Sequence, residues 1–456
     1  MQPVAERQAW SSRIVFLMAA VGAAVGLGNV WKFPYVAGVN GGGAFVLVYL
    51  LAVLLVAIPI LIGETMLGRM GRRSPPETMR HLARERGRSG AWAVVGWLGM
   101  LAAYLILTYY SVIAGWTVAY VFKAGSGALD AISAEAANGL FNELLADPVQ
   151  MLIWHGLFML LTVVIVGQGL EKGIERAVKV LMPMLFVFLL IMVAYAAVNG
   201  DPGAAVAYLF DFDFSRITPQ VALIAVGQAF FSISVGIGLM MIYGAYLPQD
   251  FSIARGSVFI AAADTLVALL AGLAIFPLVF ANGLDPGEGP GLIFVTFPLA
   301  VGGMPASTLF GTLFFALMVF AAVTSTIAIM EPMVSWAAEK FGMGRSMAAA
   351  IAGFVAWVLG IGSILSFNAW AGFYPLDFIP VFSEATVFAL VDYVTANVMM
   401  PVGALLMAVF VGWILSPAAL EEELAMQHSW LFQCWLWLIR GVAPLALLLV
   451  FVVNLV

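Results

Sequence analysis

Gly22-Ala23-Ala24-Val25-Gly26-Leu27-Gly28-Asn29 lies at the centre of an apolar stretch, Arg13–Val39, long enough to cross a membrane as a helix. Glycine costs about 1 kcal/mol relative to alanine inside a helix. Three glycines and an asparagine at mid-span depth therefore invite unwinding. Irregular backbone at that depth is tolerated only where it is buried in protein or lines a cavity. Close helix–helix packing through small residues is the competing reading. A second apolar stretch, Pro219–Leu247, repeats the feature with Phe230-Phe231-Ser232-Ile233-Ser234-Val235-Gly236-Ile237-Gly238.

The composition around these two stretches is that of a membrane protein. Apolar residues are 63% of the 456 and charged residues 10%, with 13% aromatic. Ordinary soluble domains carry roughly 25% charged residues, so most of this surface faces something other than water. The lipid bilayer is the expected surround. The net charge of −6 argues against nucleic acid as a partner. A single cysteine, Cys434, excludes a disulfide framework or a cysteine-built metal site within one chain. No His, Cys or carboxylate grouping suggests an enzyme. Isolated acids, without rings of charge or carbonyls, argue against a channel.

Further apolar stretches lie at Gly43–Leu67, Trp92–Phe122, Val149–Val166, Ala177–Val198 and Val258–Ala281. Others are Ser307–Ala338, Met347–Ile364, Ser383–Leu415 and Trp430–Val456. With the first two this predicts an all-α integral membrane protein of about 11 spans. It reads as one membrane unit, 1–456, with almost no polar sequence left for a soluble domain.

Basic residues set the expected orientation. Arg69, Arg72, Arg73, Arg80, Arg84, Arg86 and Arg88 follow the second span. Lys172, Arg176, Lys179, Arg255, Lys340 and Arg345 fall on the same side, with Arg7 and Arg13. Lys123 and Arg216 alone occupy the opposite loops, and Lys32 lies within the first span. The short polar start, Met1–Ser12, is expected in the cytoplasm and the carboxyl terminus outside, as in a bacterial plasma membrane. Arg440, inside the eleventh stretch, is expected to snorkel toward the cytoplasm.

The interrupted stretches are the first and the sixth, equivalent members of two five-helix units, 13–198 and 219–415, with 430–456 as an additional helix. An odd number of helices per unit inverts the second unit. Interrupted helices at matched positions of inverted halves point to a substrate site near the membrane midplane in secondary transporters.

Gly26-Leu27-Gly28-Asn29-Val30-Trp31-Lys32-Phe33-Pro34-Tyr35 with Asn40-Gly41-Gly42-Gly43-Ala44-Phe45 resembles the first-helix signature of neurotransmitter:sodium symporters. Pro59 with Glu64 and Gly68-Arg69, Tyr109-Tyr110 with Trp116, and Gly227-Gln228 with Phe230-Phe231-Ser232 are similar to that family's pattern. So are Gly289-Pro290-Gly291-Leu292-Ile293-Phe294 and Thr324-Ser325-Thr326-Ile327-Ala328 with Glu331-Pro332. The general rule about interrupted helices has a leucine transporter of this family as its type case, so the two readings are not independent. The family often has 12 spans, where this sequence shows about 11.

The resemblance, closest to the bacterial leucine and hydrophobic amino acid transporters, implies a sodium-coupled symporter with two sodium sites. The first would use Ala24, Asn29, Ser232 and Asp264, completed by the substrate carboxylate. The second would use the carbonyls of Gly22, Val25 and Ala321 with the hydroxyls of Thr324 and Ser325. Sodium is a hard cation that takes oxygen ligands. Back-bonding to their own helix is the bland alternative for the two hydroxyls. Asp264 departs from the family, which often has asparagine there. As a fixed negative charge it would take the place of the chloride that some relatives need, so chloride independence is expected. A protonated Asp264 is the alternative.

Amine-transporting relatives carry an aspartate at the position matching Gly26, so here the substrate is expected to bring its own carboxylate. Tyr110 would hold that carboxylate, with Gly26 and Gly28 beside it, and carbonyls near Ala24, Phe231 and Ser234 would meet the amine. Ala23, Ile106, Phe231, Ile237, Ala328 and Ile329 match pocket positions, and all are apolar. A neutral apolar L-amino acid is the implied substrate. A proton-coupled carrier, or a symporter of β- or γ-amino acids, stands as the alternative. Lys32 and Asp392 match a gate pair, closing with Phe231 and Tyr110. Glu64 is expected to brace the unwound first helix. Gly173 and Pro183 mark either a segment that unwinds or a plain proline kink. His155 and Cys434 read as packing residues, and Glu331 is ambiguous. Oligomeric state is not legible.

Overall fold

The computed structural model describes residues 9–285 and 291–455. Arg7, Gly289, Pro290 and Val456 lie outside the described residues. Among those described, every regular element is helical. Among the described residues, nine continuous helices are long and apolar enough to cross a membrane. The two interrupted spans complete the expected eleven.

The first span starts at Ser12, whose hydroxyl accepts from Val15 N and caps the helix. It runs Arg13–Ala24, breaks, and resumes over Gly28–Val39 at an angle of 56°. The sixth span runs Pro219–Ile233 and resumes at Leu239–Ala245. Between its limbs Ser234, Gly236 and Gly238 have φ of 56°, 84° and 76°. That left-handed backbone is routine for glycine and uncommon for serine. The serine is therefore held by its surroundings.

The continuous spans are Gly43–Gly71, Gly90–Gly125, Pro148–Gly167, Leu170–Asn199, Ile253–Ala281, Ser307–Phe341, Arg345–Leu365, Val387–Ile414 and Trp430–Val453. The third and eighth cross beside the two breaks and pack against each other along much of their length. The fifth begins seven residues before its apolar run, because a wide π-turn over Leu170–Glu175 takes in Gly173. That segment is wound here, and Pro183 lies inside the helix that follows. The tenth span begins at Val387 rather than Ser383, capped by Thr386.

Shorter helices fill the connections. Pro75–Glu85 and Pro417–Leu424 lie toward the end of the bundle that holds Trp10. Ala134–Ala146, Pro202–Phe210 and Leu292–Gly302 lie toward the opposite end. Arg440, half-buried, ties the eleventh span to the tenth. Its Nε donates to Gly412 O at 2.6 Å, where π-turns at Phe410–Ile414 and Leu438–Val442 face each other. A wide turn leaves backbone carbonyls poorly paired, and the guanidinium takes one of them. Cys434 is exposed rather than packed, whereas His155 is fully buried.

Candidate functional site

The two helix breaks meet at the middle of the bundle, and side chains from neighbouring spans satisfy their loose backbone groups. Asn29 Oδ1 accepts from Gly26 N at 3.0 Å, and Tyr110 Oη accepts from Leu27 N at 2.8 Å. Glu64 accepts from Gly236 N at 2.8 Å and from Met240 N at 3.2 Å. The expected brace therefore exists, but it holds the sixth helix and not the first. A carboxylate has two oxygens to offer, and the sixth break, with three residues at positive φ, exposes the more divergent amides.

Asn29, Ser232 and Asp264 come together as expected, all fully or almost fully buried. Ser232 Oγ donates to Asp264 Oδ2 at 2.7 Å. Asn29 Nδ2 donates to Asp264 Oδ1 at 2.7 Å and to Ser232 Oγ at 3.1 Å. The asparagine thus turns its NH2 toward the carboxylate. To serve a cation with oxygen, its amide must turn by 180°, exchanging Nδ2 for Oδ1. Tyr49 joins the cluster through its hydroxyl, 3.2 Å from Ser232 Oγ. A lone tyrosine in an apolar span gives no sequence signal of this role.

The second cluster sits between the first and eighth spans. Ser325 Oγ donates to Val25 O at 3.2 Å and lies 3.5 Å from Gly22 O. Thr324 Oγ1 donates to Ala321 O and Phe320 O, both at 3.1 Å. The back-bond is real for Thr324, while Ser325 reaches across to the first helix. A side chain at Gly22 would meet Met182 Sδ at 2.7 Å and Thr324 Cβ at 3.1 Å, so the helices touch here only because position 22 is glycine.

Between the clusters lies a small pocket. Ala24, Gly26, Gly28, Tyr110, Ser232 and Ser234 give its polar and small-residue side. Ile106, Phe231, Ile237 and Ile329 give its apolar side. Ala23 and Ala328 do not line it; both are buried in helix contacts instead. Ser325 and Met400 also line it, beyond the positions expected from the sequence. Space at Gly26 is closed, since a Cβ would stand 2.5 Å from Ser325 Oγ and 2.8 Å from Tyr110 Oη.

Toward the Lys32 end, Phe231 and Tyr110 separate the pocket from a vestibule of about 730 Å³ that Lys32, Tyr109, Phe388 and Asp392 also line. Lys32 Nζ stands 3.9 Å from the centre of the Phe231 ring. It makes no ion pair with Asp392 among the described residues; the ammonium is held by the ring face, a cation–π contact.

The opposite end is shut. Trp10 Nε1 donates to Tyr243 O at 3.0 Å, and its ring packs edge-on against Phe16, Tyr243 and Tyr246. Ser11 N and Oγ both donate to Glu175, at 2.8 and 2.5 Å. Glu331 pairs with Arg345 and accepts from Tyr246 Oη at 2.8 Å, which settles its place in this closure.

A sequence model of the sodium:neurotransmitter symporter family matches residues 7–135 and 146–456. The chain belongs to that family. It is 38% identical to YhdH of Bacillus subtilis, an uncharacterized sodium-dependent transporter, over 97% of this chain and 96% of that one. A Haemophilus influenzae sodium-dependent transporter is 33% identical over 99% of this chain and 98% of its own length. The crystal structure of MhsT in complex with L-phenylalanine superposes with a TM-score of 0.90 at 38% identity, covering 98% of this chain and 99% of MhsT. The chain is accordingly a multi-pass, sodium-dependent membrane transporter and not an enzyme.

Proposed function

We propose that this transporter imports neutral, apolar L-amino acids with two sodium ions and without chloride, by alternating access. The observation that carries the reading is the pocket itself: oxygen clusters at two helix breaks enclose a small space with isoleucine and phenylalanine walls. MhsT, the structural neighbour, is bound to L-phenylalanine.

In this reading Tyr110 holds the carboxylate beside the first break at Gly26 and Gly28, and Ser232, Asp264, Asn29 and the Ala24 carbonyl hold one sodium ion next to it. Gly22, Val25 and Ala321 carbonyls with Thr324 and Ser325 hold the other. Asp264 supplies the negative charge that makes chloride unnecessary. A β-carbon at Gly26 would displace Tyr110 Oη, which fits a substrate that brings its own carboxylate. Phe231 closes over the pocket on the Lys32 side, and Lys32 acts through that ring, with Asp392 across the vestibule.

The arginines around Pro75–Glu85 favour the cytoplasm for the Trp10 end by the positive-inside rule. The structure then corresponds to a state closed to the cytoplasm. The amino terminus is inside and the carboxyl terminus outside, the units 13–198 and 219–415 being inverted repeats of one transport domain. Each charge moving inward gains about 2.3 kcal/mol per 100 mV. Two ions then support roughly a thousandfold gradient of a zwitterion at about 1.4 kcal/mol per decade.

Equilibrium binding of labelled L-amino acids to the purified chain, in sodium and in choline, tests the reading. Binding of apolar amino acids in sodium alone is expected. Binding that survives in choline would overturn sodium coupling and favour a proton-coupled carrier.

A further inference from the structure

Three chambers adjoin Phe231. Besides the central pocket and the vestibule, a chamber of about 770 Å³ lies among the first, sixth, tenth and eleventh spans, with Lys32, Gln228 and Val450 in its walls. Among the described residues, only Phe231 and Met400 line both this chamber and the central pocket. The two side chains form the partition between them.

We propose that Met400 sets the upper length of substrate side chain that the transporter accepts. The inference rests on the central pocket being the amino-acid site. Position 400 is fixed by backbone. The π-turn Val394–Met399 ends immediately before it. Such a turn carries one extra residue, which rotates the rest of the helix by roughly 100° relative to a regular one. Gly236, at φ 84°, sits against the Met400 carbonyl and Ala404 so closely that a Cβ would come within 3.0 Å of both. The break in the sixth helix therefore rests on the tenth helix at this residue. The side chain, by contrast, is unbranched with three rotatable bonds, the type that fills irregular gaps and yields to different neighbours. A rigidly placed backbone with an adaptable side chain suits a wall that tolerates leucine-sized and aromatic side chains alike. Removing most of that side chain opens the central pocket toward the neighbouring chamber.

The test is displacement of labelled L-leucine from the full chain in sodium by L-alanine, L-phenylalanine and L-tryptophan. Wild type, Met400→Ala, Met400→Leu and Met400→Phe are compared, with sodium-dependent thermal stabilisation as the check on folding. Hydrophobic pockets discriminate by about tenfold or more per methylene-sized change. The ratio of L-tryptophan to L-alanine affinity is expected to rise about tenfold in Met400→Ala and to fall by a similar factor in Met400→Phe. Met400→Leu should stay near wild type. If all ligands shift by one common factor, Met400 is a packing residue and the proposal fails while the pocket stands. If wild type binds none of the ligands in sodium, the reading of the pocket falls and the partition falls with it.

Discussion

Asp264 carries the sharpest electrostatic argument in the molecule. It is fully buried, yet its carboxylate oxygens are taken by Ser232 and Asn29 and no basic side chain pairs with it among the described residues. Only a cation brought by the transport cycle would balance it. Two unit charges 4 Å apart interact by about 4 kcal/mol at an effective dielectric constant of 20. Asp264→Asn keeps the side-chain shape and removes the charge. It should weaken sodium binding by roughly a hundredfold, allowing for partial compensation by neighbouring dipoles. It should also make uptake respond to chloride, read by replacing chloride with gluconate. Unchanged sodium affinity would mean that Asp264 is protonated and serves as a neutral donor. Tyr110 makes a separate argument, because its hydroxyl oxygen accepts from Leu27 N and its own O–H is left to donate to a carboxylate. Hydrogen bonds to charged groups contribute about 1.5–3 kcal/mol. Tyr110→Phe should therefore cost roughly ten- to a hundredfold in amino-acid affinity, while the melting temperature changes little. A large loss of stability with unaltered affinity would reduce Tyr110 to a brace for the break.

At the level of elements, the breaks are the functional parts, and each is stabilised by a residue from another span. Glu64 serves two amides of the sixth break at once. Glu64→Gln can accept from one amide only, and its NH2 then opposes the other donor. Leaving a buried donor unsatisfied costs about 1–3 kcal/mol. Glu64→Gln should lower the melting temperature in detergent and abolish sodium-dependent binding, with uptake near background. Retained binding would place the strain of Ser234 and Gly236 elsewhere. The breaks are legible in the sequence from where the glycine clusters fall, at matched positions of two five-span units; the clusters alone fit close helix packing as well. The gathering of Asn29, Ser232 and Asp264 is legible only through the resemblance to the symporter family, which implies them as ligands of one sodium ion. Which break Glu64 serves is not legible, because that depends on how the second helix crosses the sixth. Lys32, expected to reach Asp392, instead lies over Phe231, a choice made by ring placement that no local pattern records. Met400 is silent in the sequence for a related reason: the π-turn before it shifts the helix face, and a methionine in an apolar span carries no signal of its own.

The whole molecule is a two-ended device whose ends differ in how they are closed. On the Lys32 side a vestibule reaches down to the Phe231 and Tyr110 rings, so little has to move for the pocket to open. On the Trp10 side, several layers of contacts must part together. Trp10 packs on Tyr243 and Tyr246, Ser11 bonds Glu175, Arg13 pairs with Asp250, and Arg69 ties Glu423 to the Phe251 carbonyl. These contacts tie the ends of the first, second and fifth spans to the sixth span and to the segments that follow the sixth and tenth, and they must part for this end to open. Removing one shifts the population toward opening at that end without touching the pocket. Val178 is a suitable reporter: it is buried one helical turn from Met182, which packs against Gly22. Because Cys434 is the only cysteine, Cys434→Ser gives a clean background for Val178→Cys. In that background, thiol labelling should be slow in sodium and faster in potassium. Adding Trp10→Ala should raise the rate by about tenfold in both, since about 1.4 kcal/mol of lost closure corresponds to that factor. An unchanged rate would mean that the layers below Trp10 suffice to hold the end shut, with Glu331 and Arg345 as the next pair to break.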